Sequence, residues 1–368
     1  MKTIVHVITT LERGGAESQL SVLISEQVKH GHKVIVIPLK GDAELDFEIQ
    51  ESGAKIVTEI RNKPFFLQIL LLRNFFKKSN YLIHAHLPRA EIAAYFSSKA
   101  NEIVISRHNS EPFFPGTNIF ISSLLSRIVT KKAKCVICIS EAVKAFCLSQ
   151  NEFAARTRLQ VVYYGYNRKS NAIDESEMRK LEIINRWKSE GYIVIGTIAR
   201  LEIQKNLDTL LNAVSNLSKS NFRVKVVIVG KGSLRNSLQD LSNNLNIEEN
   251  VYFYGRTNSP FELIRNFDIF TLTSLYEGFG LVLLEAMSTN TPIVASRNSA
   301  IPEVLGDEYK GFFTTGDSLE LASILKQLID SDTLRHELLI QLSMRLPLFA
   351  PEKMERSIDD VYEMSLPT

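Results

Sequence analysis

Two glutamates separated by seven residues carry the most specific chemistry in the chain: Glu277-Gly278-Phe279-Gly280-Leu281-Val282-Leu283-Leu284-Glu285. Glu277 precedes a Gly-Phe-Gly turn, and a helix starting near Leu281 opens its first-turn amides toward whatever lies there. Glu285 falls just over one turn into that helix, among Leu283, Leu284, Ala286 and Met287. A carboxylate in such company is costly to bury unless it is hydrogen-bonded, and a vicinal diol such as a ribose can donate two bonds to it. The competing reading, a glutamate on a solvated stripe, needs a polar stripe that the helix lacks before Ser288. A second cluster, Arg200-Leu201-Glu202-Ile203-Gln204-Lys205-Asn206, puts two cations at the mouth of a helix. Cations there are unfavourable unless an anion joins them, and a pyrophosphate would satisfy both them and the helix. The alternative is a pair of solvated surface charges.

Three further features are weaker. Gly14-Gly15 in Glu12–Glu17 follows the first strand, where glycines let a backbone approach a ligand, or simply make a tight turn. Gly230-Lys231-Gly232-Ser233 also follows a strand, but position 235 is Arg, so it is not the dinucleotide fingerprint. His108 stands just past Ile103–Ser106, and a lone histidine is more often structural than functional.

The elements that must position these residues alternate between short β-rich runs and helical patterns, which predicts an α/β chain of parallel sheets. Runs in the first half are Ile4–Thr9, Lys33–Pro38, Leu82–His86, Ile103–Ser106, Cys135–Ser140 and Leu159–Tyr163; in the second, Tyr192–Ile198, Val224–Val229, Val251–Tyr254, Ile269–Thr273 and Pro292–Ser296. Helices are expected over Ala16–His30, Pro64–Lys78, Arg89–Ala100, Ile119–Thr130, Asn206–Ser218, Ser233–Leu245, Pro260–Asn266, Leu281–Thr289 and Pro351–Met364. The polar stretch from Arg168 onward reads as a linker with a surface helix. The expected division is a domain over 1–167, a linker over 168–190, a second domain over 191–347 and a final helix over 348–368 that packs back on the first domain. Ligands of doubly wound sheets bind beyond the carboxyl ends of the strands, which two such domains can turn toward a shared cleft.

The 368 residues carry a formal net charge of +2, too balanced for a nucleic-acid carrier. The balance is uneven: residues 1–167 sum to +7 and the rest to −5. Cys135, Cys138 and Cys147 offer one C-x2-C without a second ligand pair, so no zinc site is expected. The start is too short in apolar residues for a signal peptide, and no run reaches the roughly 18 apolar residues of a membrane span. A cytoplasmic protein with reduced cysteines is the expectation.

Taken in order, these residues resemble the retaining glycosyltransferases of family 4, which have the GT-B fold of two Rossmann-like domains facing across a cleft. Gly14-Gly15-Ala16-Glu17 resembles the family's amino-terminal glycine loop, His108 its histidine after a first-domain strand, and Val161–Asn167 the segment ending that domain. Gly196–Arg200 through Lys205 resembles its phosphate loop, Gly255-Arg256 the place of the nucleotide base, Glu277 and Glu285 its E-x7-E, and Ile301-Pro302-Glu303 the following loop. Asn290 stands where the family commonly has a glycine, but Asn tolerates the left-handed cap; Ser299-Ala300 replaces a common Gly-Gly, which loosens any inference about backbone contacts from that loop.

The resemblance implies transfer of a sugar from a nucleoside-diphosphate donor, UDP-sugar favoured, with retained anomeric configuration. Arg200 and Lys205 would neutralise the departing diphosphate. Glu285 would hold the ribose, Glu277 the donor sugar, with Phe279, Gly280 and Leu281 lending amides and Gly230 and Arg256 lining the donor site. His108 would reach the donor sugar and Gly15 the phosphates or acceptor. The expected enzyme needs no metal or other cofactor, the two cations replacing an Asp-x-Asp cluster. Its expected acceptor is lipid-linked or a saccharide of a surface polysaccharide. Arg61–Lys78, with Arg61, Lys63, Arg73, Lys77 and Lys78 among phenylalanines and leucines and no acid, could seat on an anionic bilayer at the inner face of the plasma membrane. A sheet-covering helix with cationic ends is the competing reading. The alternatives to transfer are a nucleotide-sugar epimerase or phosphorylase of the same fold, or a binding protein without catalysis.

Overall fold

The computed structural model describes residues 1–98, 103–114, 116–155, 157–167 and 173–365. The end of the expected Arg89–Ala100 helix, the first five residues of the expected linker and the last three of the 348–368 segment lie outside them. The chain forms two compact units, one of 1–167 with 349–368 and one of 168–348.

In the first unit seven strands are β1 (Thr3–Ile8), β2 (Lys33–Pro38), β3 (Lys55–Ile56), β4 (Leu82–His86), β5 (Ile103–Arg107), β6 (Ala133–Cys138) and β7 (Leu159–Val161). They pair in parallel in the order β3-β2-β1-β4-β5-β6-β7. Val, Ile and Cys fill both faces, which suits a sheet covered by helices on each side. The order reverses between β1 and β4, and this is the switch point at which such sheets bind ligands. The final helix, Pro351–Ser365, packs on the first helix, Gly15–Lys29. Lys2 pairs with Asp359 at 2.7 Å across that seam, and Tyr166 N donates to Phe349 O at 2.7 Å.

The second unit holds β8 (Ile193–Ile198), β9 (Val224–Val229), β10 (Val251–Gly255), β11 (Ile269–Leu272), β12 (Ile293–Ser296) and β13 (Phe312–Phe313). Their order is β10-β9-β8-β11-β12-β13, again parallel, with the switch point between β8 and β11.

The sequence reading assigned no element to the helices Asp46–Glu51, Glu141–Ser149 and Ile301–Leu305 or to the short strands β3 and β13, and two longer stretches also differ from it. The helix Glu175–Ser189, expected within a linker, packs on β8, and its buried Glu177 accepts from Thr257 Oγ1 (2.5 Å) and Asn258 N (3.0 Å). Apolar Ile184 supplies the anchor that its polar composition disguises. Residues 318–345, to which no element was assigned, form two helices, Ser318–Asp330 and Asp332–Arg345, capped by the side chains of Asp317 and Ser331.

Candidate active site

In the second unit the functional side chains come from the loops that leave the carboxyl ends of β8, β9, β10 and β11. The loops after β8 and β9 extend the ladder beyond the strands: Ala199 N donates to Val229 O and Leu201 N to Lys231 O, each at 2.9 Å. That closeness is why position 230 is glycine. Its φ is +136°, and a Cβ there would stand 1.9 Å from the Ala199 carbonyl oxygen. Gly230 therefore holds two loops together, a structural reason for the Gly-x-Gly that spacing alone does not supply. Its amide donates to Gly255 O at 2.7 Å, bringing exposed Arg256 to the neighbouring strand end.

Across the switch point, residues 203–206 are stitched to 273–276. Leu275 N donates to Gln204 O at 2.8 Å, Gln204 Nε2 to Tyr276 O at 2.9 Å, and Thr273 Oγ1 to Lys205 O at 2.8 Å. The stitching delivers Lys205 Nζ to Glu277 Oε1 at 2.5 Å, where Ser274 Oγ also donates at 2.6 Å. Glu277 is only 6% exposed, and its amide is fixed by Ser299 Oγ at 2.7 Å. Lys205, expected to meet only a diphosphate, thus holds the glutamate as well. Arg200 is exposed and reaches the same loop through Gln204 Oε1 at 3.2 Å.

Gly280, at φ +88°, caps the helix Leu281–Ser288 and accepts from Leu283 N at 2.8 Å, so the amides of Leu281 and Val282 are those the helix itself leaves without an acceptor. The Phe279 ring is buried beneath the turn. Glu285 is half-buried, and among the described residues no donor reaches its carboxylate. Burial pushes that carboxyl up to about 7. Among the described residues the site thus holds one carboxylate without a donor, a lysine paired with Glu277 and an exposed arginine bonded to Gln204. Contrary to the reading that no Asp-x-Asp is present, Asp330-Ser331-Asp332 is one. It lies at a helix junction, where Ser331 caps and Asp332 pairs with Arg335, and is thus spent on structure.

The first unit places Gly15 at the exposed start of the helix after β1, where Glu17 accepts from Thr10 Oγ1 at 2.7 Å. His108, after β5, is not a lone histidine. Its Nε2 meets His86 Nδ1 at 3.1 Å and its Nδ1 meets the Tyr164 hydroxyl at 2.5 Å. Burial, aided by neighbouring Arg107, pushes it down to about 3. Beside it lies a cavity of about 150 Å³ lined in part by Glu91, Arg107, Glu111 and Phe113. Buried Arg107 bridges Glu91 (3.0 Å) and Glu152 (3.3 Å), and burial raises Glu91 to about 7 against the pull of that cation. The sequence reading missed this triad. Its signal was an arginine ending an apolar strand, a position that demands a partner.

Comparison with known proteins covers both units. Residues 13–169 match the family model described as Glycosyltransferase Family 4, and residues 179–340 match Glycosyl transferases group 1. The capsular polysaccharide biosynthesis glycosyltransferase CapM of Staphylococcus aureus is 24% identical over 82% of this chain and 76% of its own. The N-acetylgalactosamine-N,N'-diacetylbacillosaminyl-diphospho-undecaprenol 4-alpha-N-acetylgalactosaminyltransferase of Campylobacter jejuni is 26% identical over 57% of this chain and 54% of its own. The crystal structure of Anabaena HepE in complex with UDP-glucose superposes with a TM-score of 0.78, at 21% identity, over 99% of this chain and all of that one. With one glycosyltransferase model matched by each half, and with two parallel Rossmann-like sheets, the chain is a glycosyltransferase of the GT-B fold.

Proposed function

We propose that the protein is a retaining transferase that moves a sugar from a nucleoside-diphosphate donor, UDP-sugar favoured, to a lipid-linked or saccharide acceptor in surface polysaccharide synthesis. The observation that carries the reading is the Lys205–Glu277 pair at the β8/β11 switch point, with Glu285, which no donor among the described residues reaches, in the helix that follows. The diphosphate leaves the anomeric carbon with the bonding electron pair, an acceptor hydroxyl oxygen bonds to that carbon on the same face and gives its proton to the departing diphosphate, and Arg200 and Lys205 stabilise the charge that develops. Lys205 then exchanges part of its hold on Glu277 for phosphate, releasing the glutamate to accept from donor-sugar hydroxyls. Amides of Phe279, Gly280 and Leu281 serve phosphate or sugar, Gly230 and Arg256 border the base, and Glu285 takes the two ribose hydroxyls. His108 and Gly15 serve the transfer from the first unit. No metal or other cofactor is assigned a step, since the two cations supply the neutralisation. The UDP-glucose bound by the Anabaena neighbour and the diphospho-undecaprenol substrate named for the Campylobacter relative support these donor and acceptor classes.

The decisive experiment is a thermal-shift panel of UDP-, GDP-, ADP- and TDP-sugars, in which a binding donor raises the midpoint. A shift with UDP-sugars that vanishes in Glu285→Ala is expected. No shift with any of them overturns the reading, and consumption of donor without acceptor would favour an epimerase.

We also propose that the enzyme works in the cytoplasm, peripherally on an anionic membrane. No helix among the described residues is long and apolar enough to cross one. The helix Phe65–Phe76 buries Gln68 and Leu72 but leaves Phe66 72% exposed, near exposed Lys63, Arg73, Lys77 and Lys78. Arg61 is spent on Asp46, at 2.6 Å. The helix Ile119–Thr130 adds exposed Phe120, Ile121 and Leu124, without an acid. Sedimentation with anionic vesicles at low salt tests this, and failure to bind would overturn it.

A further inference from the structure

Four of the chain's histidines meet in one buried cluster of the first unit, and only His108 has been given a part in the reaction. His6 on β1 pairs in register with His84 on β4, and His86 follows two residues on, so the three rings share one face of the sheet. Burial holds all four below the usual histidine range. A neutral imidazole has one donor nitrogen and one acceptor. A chain of neutral rings therefore runs in a single direction.

Gln27, on the helix Gly15–Lys29, determines which. Its Oε1 can only accept, so His6 Nε2, 2.8 Å away, carries the proton. His6 Nδ1 must then accept from His86 Nε2 at 3.0 Å, His86 Nδ1 from His108 Nε2 at 3.1 Å, and His108 Nδ1 from the Tyr164 hydroxyl at 2.5 Å. Beyond Gln27 the order continues. Its amide Nε2 donates to Tyr362 Oη at 3.3 Å, Tyr362 donates to His84 Nδ1 at 2.7 Å, and His84 Nε2 donates to Ser106 Oγ at 2.8 Å. Turning the Gln27 amide over would reverse every link together. His6, His84 and His86 stand close enough to share a cation. Each of their nitrogens already has its partner in the chain, however, and the arrangement requires no ion.

We infer that Gln27 and Tyr362, two residues remote from the reacting atoms, are positioning residues that set the tautomer of His108. The inference rests on the reading that His108 serves the transfer. Tyr362 holds the Gln27 amide by accepting from it; the amide sets His6; His6 sets His86; His86 sets His108. Removing one hydroxyl from the helix Pro351–Ser365 thus frees the Gln27 amide to turn and lets either nitrogen of His108 carry the proton.

Nitrogen-15 spectra of the histidine-labelled full chain test this without substrate. In the wild type all four rings are expected to show the Nε2–H tautomer and no titration between pH 7.5 and 5.5; an Nδ1–H form at any of the four, or ordinary titration, overturns the chain. In Tyr362→Phe, His108 is expected to populate both tautomers while His336, outside the network, stays unchanged. A His108 spectrum identical to wild type overturns the coupling. With whichever of the UDP-, GDP-, ADP- and TDP-sugars raises the wild-type midpoint as donor, the same variant should lower kcat about tenfold and leave the donor KM unchanged. A shifted tautomer with unaltered kcat would overturn the positioning role. Absence of any turnover by the wild type would defeat the proposed function, and would leave the tautomer result standing.

Discussion

The two switch points of this chain are built alike and wired in opposite ways. At the first, between β1 and β4, burial neutralises the histidines, and their nitrogens close on one another. At the second, between β8 and β11, opposite charges pair between the two loops, and among the described residues one carboxylate has no donor. The same backbone location can therefore hold a self-satisfied network or one that is complete only with a ligand. Saturated hydrogen bonding favours a fixed geometry, whereas unmet demand favours binding.

The largest way to break this comparison is acid. Below pH 6.5 the unfolded chain takes up protons on four histidines that the folded first unit keeps neutral, so stability falls as pH drops from about 6.5 toward the depressed native values. Four such groups cost on the order of 5 kcal/mol at pH 5.5 relative to pH 7.5, of which Glu91 in the same unit, raised to about 7, returns about 2 kcal/mol. Glu285, raised to about 7, has the opposite sign and stabilises its unit as pH falls. Urea titrations followed by circular dichroism should show the loss. Fluorescence of the single tryptophan, Trp187 in the second unit, should lag behind it. Equal acid sensitivity of the two signals would break the contrast.

Next in size, Gly230→Ala should cost about 3 kcal/mol, since a Cβ meets the Ala199 oxygen at a strained φ. Denaturation should reveal the loss in the tryptophan signal, together with abolished UDP binding. A variant as stable as wild type would show that the two loops are not clamped.

Smallest is Glu285→Gln. Keeping a buried carboxylate charged above pH 7 costs the fold, so the amide should stabilise the second unit by about 2 kcal/mol at pH 8. UDP affinity should fall about tenfold, and the wild type alone should release protons on binding, measured by calorimetry in buffers of different ionisation heat. Stability and affinity changing in the same direction would remove the idea that this site trades one for the other.

How much of this could be read from residues alone follows from distance along the chain. The strands were legible because Val and Ile runs declare themselves locally, and Glu277, Glu285, Arg200 and Lys205 because each stands out against its own neighbours. The Lys205–Glu277 pair was not, since it depends on two loops being laid side by side by β8 and β11. The histidine chain was hidden further, its links coming from three strands, the first helix and a residue near the carboxyl end. The helices over 318–345 were missed although Asp317 and Ser331 mark their starts, a local signal left unused.

The return of the last helix to the first unit also has a meaning in time. A ribosome finishes residues 1–167 long before it reaches Tyr362, yet His84 and Gln27 need that hydroxyl. The second unit, contiguous in sequence, can settle as soon as it emerges, whereas the first waits for the helix Pro351–Ser365 that follows the second. A ribosome that stops before the helix Pro351–Ser365 would spoil the part of the molecule it made first.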